Sequence, residues 1–310
     1  MILTVTLNAA LDVTYAVDSL QPRTSHRVDT TYQRAGGKGI NVARVLASLG
    51  HPVAVTGLAG GPTGAVLRDE LRTAGLRDEL LPIAGDSRRT LTVISRDDGD
   101  ATVFNQTGPQ VRPAEWESFT AHFAALLRGV AVVVLSGSLP PGLPRDAYAP
   151  LIRTAAAAGA ATVLDTSGHA LRGALGAGPD VVKPNAAELA AVTGREDVAA
   201  AAAELRALGA RAVVASSGPD GVHAVTGRGS WRAAPPEQLA GNPTGAGDAC
   251  VAALAAGLAA GAPWPEVLRE AVALSAAAVP CPVAGDFDAG TYHRFRTTVS
   301  VEEVHAPHSH

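Results

Sequence analysis

Along this chain, short runs of apolar residues alternate with longer alanine-rich stretches. The runs are PVAVTGL (52–58), VAVVVLSG (130–137), ATVLDTSG (161–168), PDVVKPN (179–185) and RAVVASSG (211–218), and MILTVTLNAALD opens the chain with another strand-like run. A strand that alternates apolar and polar positions has one wet face. Strands without that alternation are covered on both faces, which predicts a mostly parallel sheet between layers of helices. Several of the runs end in small or polar residues, as ligand-facing strand ends do in open α/β sheets.

Two segments break this rhythm. Residues 12–35 and 89–105 alternate β-branched with polar residues, and the second contains a DDGD turn that should close a hairpin. They predict half-exposed antiparallel strands in a small sheet projecting from the main domain as a lid. An apolar face on such a lid would favour burial against a second subunit, so a homodimer through the lid is expected. The main domain is read as a single α/β unit over 1–300, with 301–310 as a flexible tail whose histidines are solvated rather than metal-bound.

Composition narrows the class. Of 310 residues, 47% are hydrophobic, 17% charged and only 4% aromatic, so the interior must be built from Ala, Val and Leu. A formal charge of -4 and a pI near 6.1 argue against a nucleic-acid binder, so any phosphate the chain binds should be a small, local one. Cys250 and Cys281 lie in apolar segments without metal-ligand spacing, which fits reduced thiols and a cytoplasmic setting. The N-terminus lacks the pattern of a signal peptide. The uncharged run 249–265 is rich in alanine and glycine and broken by Pro263 and Pro265, so it reads as a buried helix rather than a membrane span.

Three segments carry candidate chemistry. In AGGKGINVARVLASLG (35–50), adjacent glycines allow close approach of a ligand to a helix whose apolar positions are Ile40, Val42, Ala43, Leu46 and Leu49. It is neither a Walker A motif nor GxGxxG. In TGAGD (244–248), the Gly245-Ala246-Gly247 backbone can turn its amides toward one point at a helix N-terminus, which suits anionic oxygen. Asp248 could equally cap that helix, although capping needs no glycine on both sides of Ala246. In PDVVKPNAAEL, Asn185 and Glu188 lie one helical turn apart after Lys183. They could organise Mg²⁺ through water or form a capping box. The SGSLPPG and SSGPDG loops follow buried strands; Asp12, Arg27, Lys38, Arg88 and Arg89 are polar groups near the lid or the first glycine turn.

Taken in order, these segments resemble the PfkB/ribokinase family of sugar kinases from residue 1 to about 290. GGKGINVARVL resembles its first signature and PTGAGDACVAAL its second. LTVTLNAALD, SGSLPPG, LDTSG and KPNAAE resemble the sugar-phosphate branch. The resemblance implies a ribokinase-like three-layer α/β/α sandwich with a small β-sheet lid, using ATP and Mg²⁺. It implies Asp248 as catalytic base, with the amides of Gly245, Ala246 and Gly247 stabilising the transferred phosphoryl group. Asp12, Gly36, Gly37, Lys38, Asn41 and Ser138 would surround the sugar. Arg89 would reach its existing phosphate, joined by Arg27 from the partner subunit. Asn185 and Glu188 would organise Mg²⁺, and Lys183, Ser216, Gly218 and Gly221 would line the ATP side.

Ala9-Ala10, Pro243-Thr244 and Pro280-Cys281-Pro282 depart from the family pattern without touching the implied base. The leading expectation is ATP-dependent phosphorylation of a ketohexose phosphate, fructose 1-phosphate to fructose 1,6-bisphosphate. Tagatose 6-phosphate and fructose 6-phosphate are the competing substrates. More distant readings are a kinase of an unphosphorylated sugar or nucleoside, and a non-catalytic sugar-phosphate sensor. A dinucleotide oxidoreductase would need a glycine fingerprint after the first strand, which this chain lacks.

Overall fold

The computed structural model describes residues 1–28, 31–97 and 100–304. In chain order its strands are β1 (Ile2–Thr6), β2 (Ala10–Val17), β3 (Thr31–Gly36), β4 (Val53–Gly60), β5 (Arg77–Ile83), β6 (Arg88–Ser95), β7 (Ala101–Asn105), β8 (Val132–Ser136), β9 (Ala161–Asp165), β10 (Val181–Val182), β11 (Ala212–Ser216), β12 (Val222–Val225), β13 (Ser230–Ala234) and β14 (Ser300–Glu303). Its helices are α1 (Lys38–Ser48), α2 (Gly61–Thr73), α3 (Pro113–Leu126), α4 (Tyr148–Ala157), α5 (Gly168–Leu175), α6 (Ala186–Thr193), α7 (Val198–Ala207), α8 (Ala246–Ala260), α9 (Trp264–Ala278) and α10 (Ala289–Thr298).

A ten-stranded sheet in the order β14-β13-β12-β11-β10-β9-β8-β1-β4-β5 forms the centre. It is parallel from β11 to β5, and β12, β13 and β14 extend it antiparallel. Its inner strands are apolar at consecutive positions because neighbours serve opposite layers. Val132 and Val134 pack into one core cluster with α1, α8 and α9, while Val133 and Leu135 pack into another with α3 and α4. Val163 and Leu164, Val181 and Val182, and Val213 and Val214 divide in the same way. The expected sandwich is therefore present.

The expected runs are found as β1, β4, β8, β9, β10 and β11. Strand β5 escaped the apolar pattern because its first turn of sequence, Arg77-Asp78-Glu79, is charged, as the outermost strand of that edge permits. The expected tail is corrected in part: Ser300–Glu303 pair with β13, with Val301 opposite Ala233, so the sheet continues past residue 300. Residues 305–310 lie outside the described residues.

The lid is a separate sheet in the order β3-β2-β6-β7. Its outer pairs are antiparallel as expected, but the central pair, β2 with β6, is parallel, with Asp12 opposite Thr90. The expectation of antiparallel strands throughout fails there, because β2 and β6 both leave the body in the same direction. Within the segment 12–35, residues 18–28 contain no strand; the DDGD turn falls partly on residues outside the described set. Leu11 and Val13 of the lid join Ile40, Leu67 and Leu71 in a third core cluster, so its inner face is fixed to the body. On the opposite face the register aligns Tyr32, Thr14, Thr92 and Val103 in one row, and both Tyr32 and Val103 are exposed.

Two close approaches set the position of α1 and α8. A Cβ at Gly39 would lie 2.4 Å from Thr6 Oγ1 and 2.9 Å from the Val5 carbonyl oxygen, so α1 rests directly on β1. Gly245 caps α8 with φ 95°, a left-handed conformation that favours glycine, and a Cβ there would meet the backbone of Ala284 at 2.8 Å.

Candidate active site

The carboxyl ends of β1, β8, β9, β10 and β11 open toward the N-termini of α1 and α8. There Asp248, in the first turn of α8, is 7% exposed and accepts a hydrogen bond from Asn41 Nδ2 of α1 at 2.9 Å. Burial is the main force on its carboxyl group, which is pushed up to about 7; the charge of Asp165 adds to this, while Asn41, Lys38 and Lys183 oppose it. Asp248 does not act as a side-chain N-cap: that position belongs to Gly245.

Lys38 and Lys183 flank it. Lys38 Nζ donates to Asp165 Oδ1 at 3.3 Å, and Lys183 Nζ stands 3.4 Å from the same oxygen. Burial works against the charge on Lys183, but nearby anions, Asp165 foremost, hold its ammonium above the usual lysine range. The Cβ position of Gly247 would be 3.5 Å from Lys183 Nζ, so glycine lets that amine approach the first turn of α8.

A cavity of about 230 Å³ is lined by Asn8, Gly37, Lys38, Arg88, Ser138, Thr166 and Glu188 among others. Asn8, Arg88 and Ser138 continue into a wider trough of about 660 Å³ that also reaches Arg145 and His169. Asn8 Nδ2 donates to Ser138 Oγ at 3.1 Å and to the Thr107 carbonyl at 3.0 Å; Arg88 Nε donates to the Asn8 carbonyl at 3.0 Å. At the root of the lid, Gly36 makes room for Asp12, since a Cβ there would lie 1.9 Å from the Asp12 carboxylate. Burial raises the Asp12 carboxyl group to about 6, against the pull of Arg88, Thr90, Arg34 and Arg44.

A second cavity, about 360 Å³, lies on the other side of the α8 N-terminus. Ser216, Gly218, Gly221, Ala246 and Gly247 line it together with Leu239, Val272 and Val279, so it is largely apolar. Val279 reaches it, whereas Pro280, Cys281 and Pro282 do not line it.

Most residues singled out by sequence thus converge, with three exceptions. Arg89 turns away: its guanidinium lies against Thr63 Oγ1 at 3.3 Å, and its neighbour Arg88 enters the cavity instead, as alternation along β6 requires. Asn185 and Glu188 form the capping box, with Asn185 Oδ1 accepting from Glu188 N at 2.8 Å and Glu188 Oε2 accepting from Asn185 N at 2.9 Å. Of the two readings left open for this pair, the capping box is the one present, and Glu188 also lines the cavity, whereas Asn185 does not. Arg27 is exposed and does not line the cavities described above. Sequence reasoning missed Asn8 and Asp165. For Asp165 the available signal was a carboxylate at the end of an apolar strand in VLDTSG.

The description "pfkB family carbohydrate kinase" matches residues 4–288, and the chain belongs to that family. It is 43% identical over 265 residues to a 1-phosphofructokinase from Xanthomonas campestris pv. campestris, covering 83% of each chain. Its fold is similar to that of phosphofructokinase-2 from Escherichia coli in complex with potassium, with TM-score 0.91, 30% identity and coverage of 96% and 98% of the two chains. The same enzyme in complex with fructose-6-phosphate matches with TM-score 0.88, 30% identity and the same coverage, 96% and 98%. The molecule is a ribokinase-like α/β kinase with a separate lid sheet. Among the described residues no helix is long and apolar enough to cross a membrane.

The buried carboxyl group makes a prediction about stability. The folded chain holds the Asp248 proton more tightly than the unfolded chain, whose value is near 3.8. Stability is therefore lost as pH rises from about 4 through about 7 and stays lower above that range. Asp248→Asn, which removes the charge, is expected to unfold at a higher temperature than the parent at pH 8 and at nearly the same temperature at pH 4. Calorimetry at the two pH values checks this; a variant less stable than the parent at pH 8 contradicts it.

Proposed function

We propose that this chain transfers the γ-phosphoryl group of ATP to a hydroxyl group of a ketohexose phosphate, converting fructose 1-phosphate to fructose 1,6-bisphosphate. The observation that carries the reading is the place of Asp248: buried, held by Asn41, and set between a cavity lined with Lys38 and Arg88 and an apolar cavity beside the α8 N-terminus. A charged sugar phosphate suits the first cavity, and a flat purine base suits the second. The similarity to a 1-phosphofructokinase favours fructose 1-phosphate. The similarity to an enzyme bound to fructose-6-phosphate keeps that isomer as the runner-up.

In this reading the acceptor hydroxyl gives its proton to the Asp248 carboxylate as its oxygen forms a bond to Pγ. The bond from Pγ to the bridging oxygen breaks, and ADP leaves with that electron pair. Phosphoryl transfer has a loose transition state with charge on the equatorial oxygens, so positioning and electrostatics carry more than base strength. The amides of Gly245, Ala246 and Gly247, at the positive end of α8, would face that charge. Asp12, Gly36, Gly37, Asn41 and Ser138 would hold the sugar, with Lys38 beside them. Arg88, in place of Arg89, would meet its existing phosphate. Lys183, Ser216, Gly218 and Gly221 would border the nucleotide.

Mg²⁺, when bound with ATP, would neutralise phosphate charge, and Glu188 fits an outer role in holding it through water. Asn185 would act by fixing Glu188. We also propose that the lid face bearing Tyr32 and Val103 seats a second copy of the chain, which would bring the partner's Arg27 toward the sugar phosphate.

Four measurements bear on this reading. ADP release, coupled to a dehydrogenase and run against free sugars, fructose 1-phosphate, fructose 6-phosphate and tagatose 6-phosphate, should be highest with fructose 1-phosphate; no release with any of them favours a sensor. Asp248→Ala should cut turnover by roughly 10²- to 10⁴-fold, the usual loss for a general base, while ATP still binds. Near-normal turnover would remove it from the mechanism. Arg88→Ala should raise KM for the sugar phosphate by roughly tenfold or more, as loss of a charge-assisted contact implies, with Arg89→Ala far milder. The reverse order would restore Arg89 to the site. Sedimentation should find a dimer; a monomer at assay concentration sinks the role of Arg27 in trans.

A further inference from the structure

Asp165 is the most buried charge near the base, and the chemistry above does not use it. It ends β9 with 1% exposure, against 7% for Asp248, and both of its oxygens face lysine ammonium groups. Both ammonium groups flanking Asp248 converge on its one carboxylate. Lys38 Nζ is 3.3 Å from Oδ1 and 3.2 Å from Oδ2, and Lys183 Nζ is 3.4 Å from Oδ1. Lys38 comes from α1 on the sugar side, and its side chain remains 41% exposed at the cavity wall. Lys183 comes from the loop after β10, is almost fully buried, and stands beside Gly247 on the nucleotide side.

Two free ammonium groups would repel one another and seek water. A shared buried anion holds them side by side, astride the path between acceptor and donor. We infer that Asp165 is a positioning residue for phosphoryl transfer, fixing Lys38 and Lys183 on either side of Asp248 and setting the charge balance of the cluster. Two lysines and two ionised carboxylates sum to zero. Once Asp248 takes the hydroxyl proton the same four groups sum to +1, so positive charge appears beside the phosphoryl group as it arrives. Without Asp165 the cluster would already be +1 before transfer, and the lysines would lose their common anchor. A buried pair that loses one partner also leaves an uncompensated charge, so some loss of stability accompanies the loss of Asp165.

This inference rests on Asp248 being the base, and its test separates the two. The charged and polar groups facing Asp248 are Asn41 and Lys38 of α1, Asp165 of β9 and Lys183 after β10. In Asp165→Asn, kcat should fall at least tenfold with a smaller change in KM for either substrate, and the acid limb of the pH profile should move down by roughly one unit, the effect of removing a nearby like charge. In Lys38→Met the limb should move the other way, because a neighbouring cation is lost. A fold defect alone would not drive two variants in opposite directions. Lys38→Met reports the direct pull of Lys38 on Asp248 and serves as the control; the downward shift in Asp165→Asn, assayed at reduced temperature if the variant is unstable, is the deciding measurement. A limb unmoved in Asp165→Asn overturns the role of Asp165, even if Asp248→Ala has lost turnover. Unimpaired turnover in Asp248→Ala instead overturns the assignment of the base.

Discussion

One hydrogen bond ties the two halves of the site together: Asn41 Nδ2 to Asp248 Oδ2, across 207 positions of sequence. It can form only if the first turns of α1 and α8 meet at the same end of the sheet. Gly39 allows that by letting α1 lie on β1, and Gly245 allows it by turning the chain into α8 with a left-handed backbone. The large shared core of α1, α8 and α9 then prevents either helix from sliding. The position of the proton acceptor is thus a product of helix packing, and the loops around it complete what the helices have already aligned.

Such an arrangement has an electrostatic cost. A carboxyl group in an apolar helix, with a second buried carboxylate nearby, is held far above its usual value by lost hydration and like charge. The two lysines and Asn41 offset part of that cost. Cys250, two residues further along α8, shows how dry the helix becomes: burial pushes its thiol up to about 11. The site therefore sits at the boundary between a dry core and a polar rim, where small displacements of charge have large effects.

The sequence reveals much of this arrangement in advance, and the omissions have physical causes. Doubly covered strands have no polar alternation, so β4, β8, β9 and β11 stand out as apolar runs. Strands β5 and β13 lie near sheet edges, where charged residues such as Asp78 and Arg232 are tolerated, and they leave no such trace. The glycine turns and Asp248 are visible because short-range backbone constraints write them into adjacent residues. The choice between Arg88 and Arg89 depends on which face of β6 meets the body, which is set by pairing with β2 more than 70 residues away. Asp165 is hidden for a related reason: its meaning lies in two lysines drawn from separate segments. Asn185 and Glu188 had two compatible readings, and the backbone hydrogen bonds of α6 favour capping.

The parallel pairing of β2 and β6 has a mechanical side. Ala10 of β2 pairs with both Gly36 and Arg88, and Asn105 of β7 lies across from Thr90, so all four strands meet the body at one end of the lid. Such a sheet is a cantilever. Its root, which includes Asp12 and Arg34, is clamped by the covalent connections to β1, α1 and the segment before α3. A load applied at the far end, near Val17 and Ser95, produces its largest displacement there and mainly bending stress at the root. The residues of the lid nearest the chemistry therefore sit where the sheet is held most firmly.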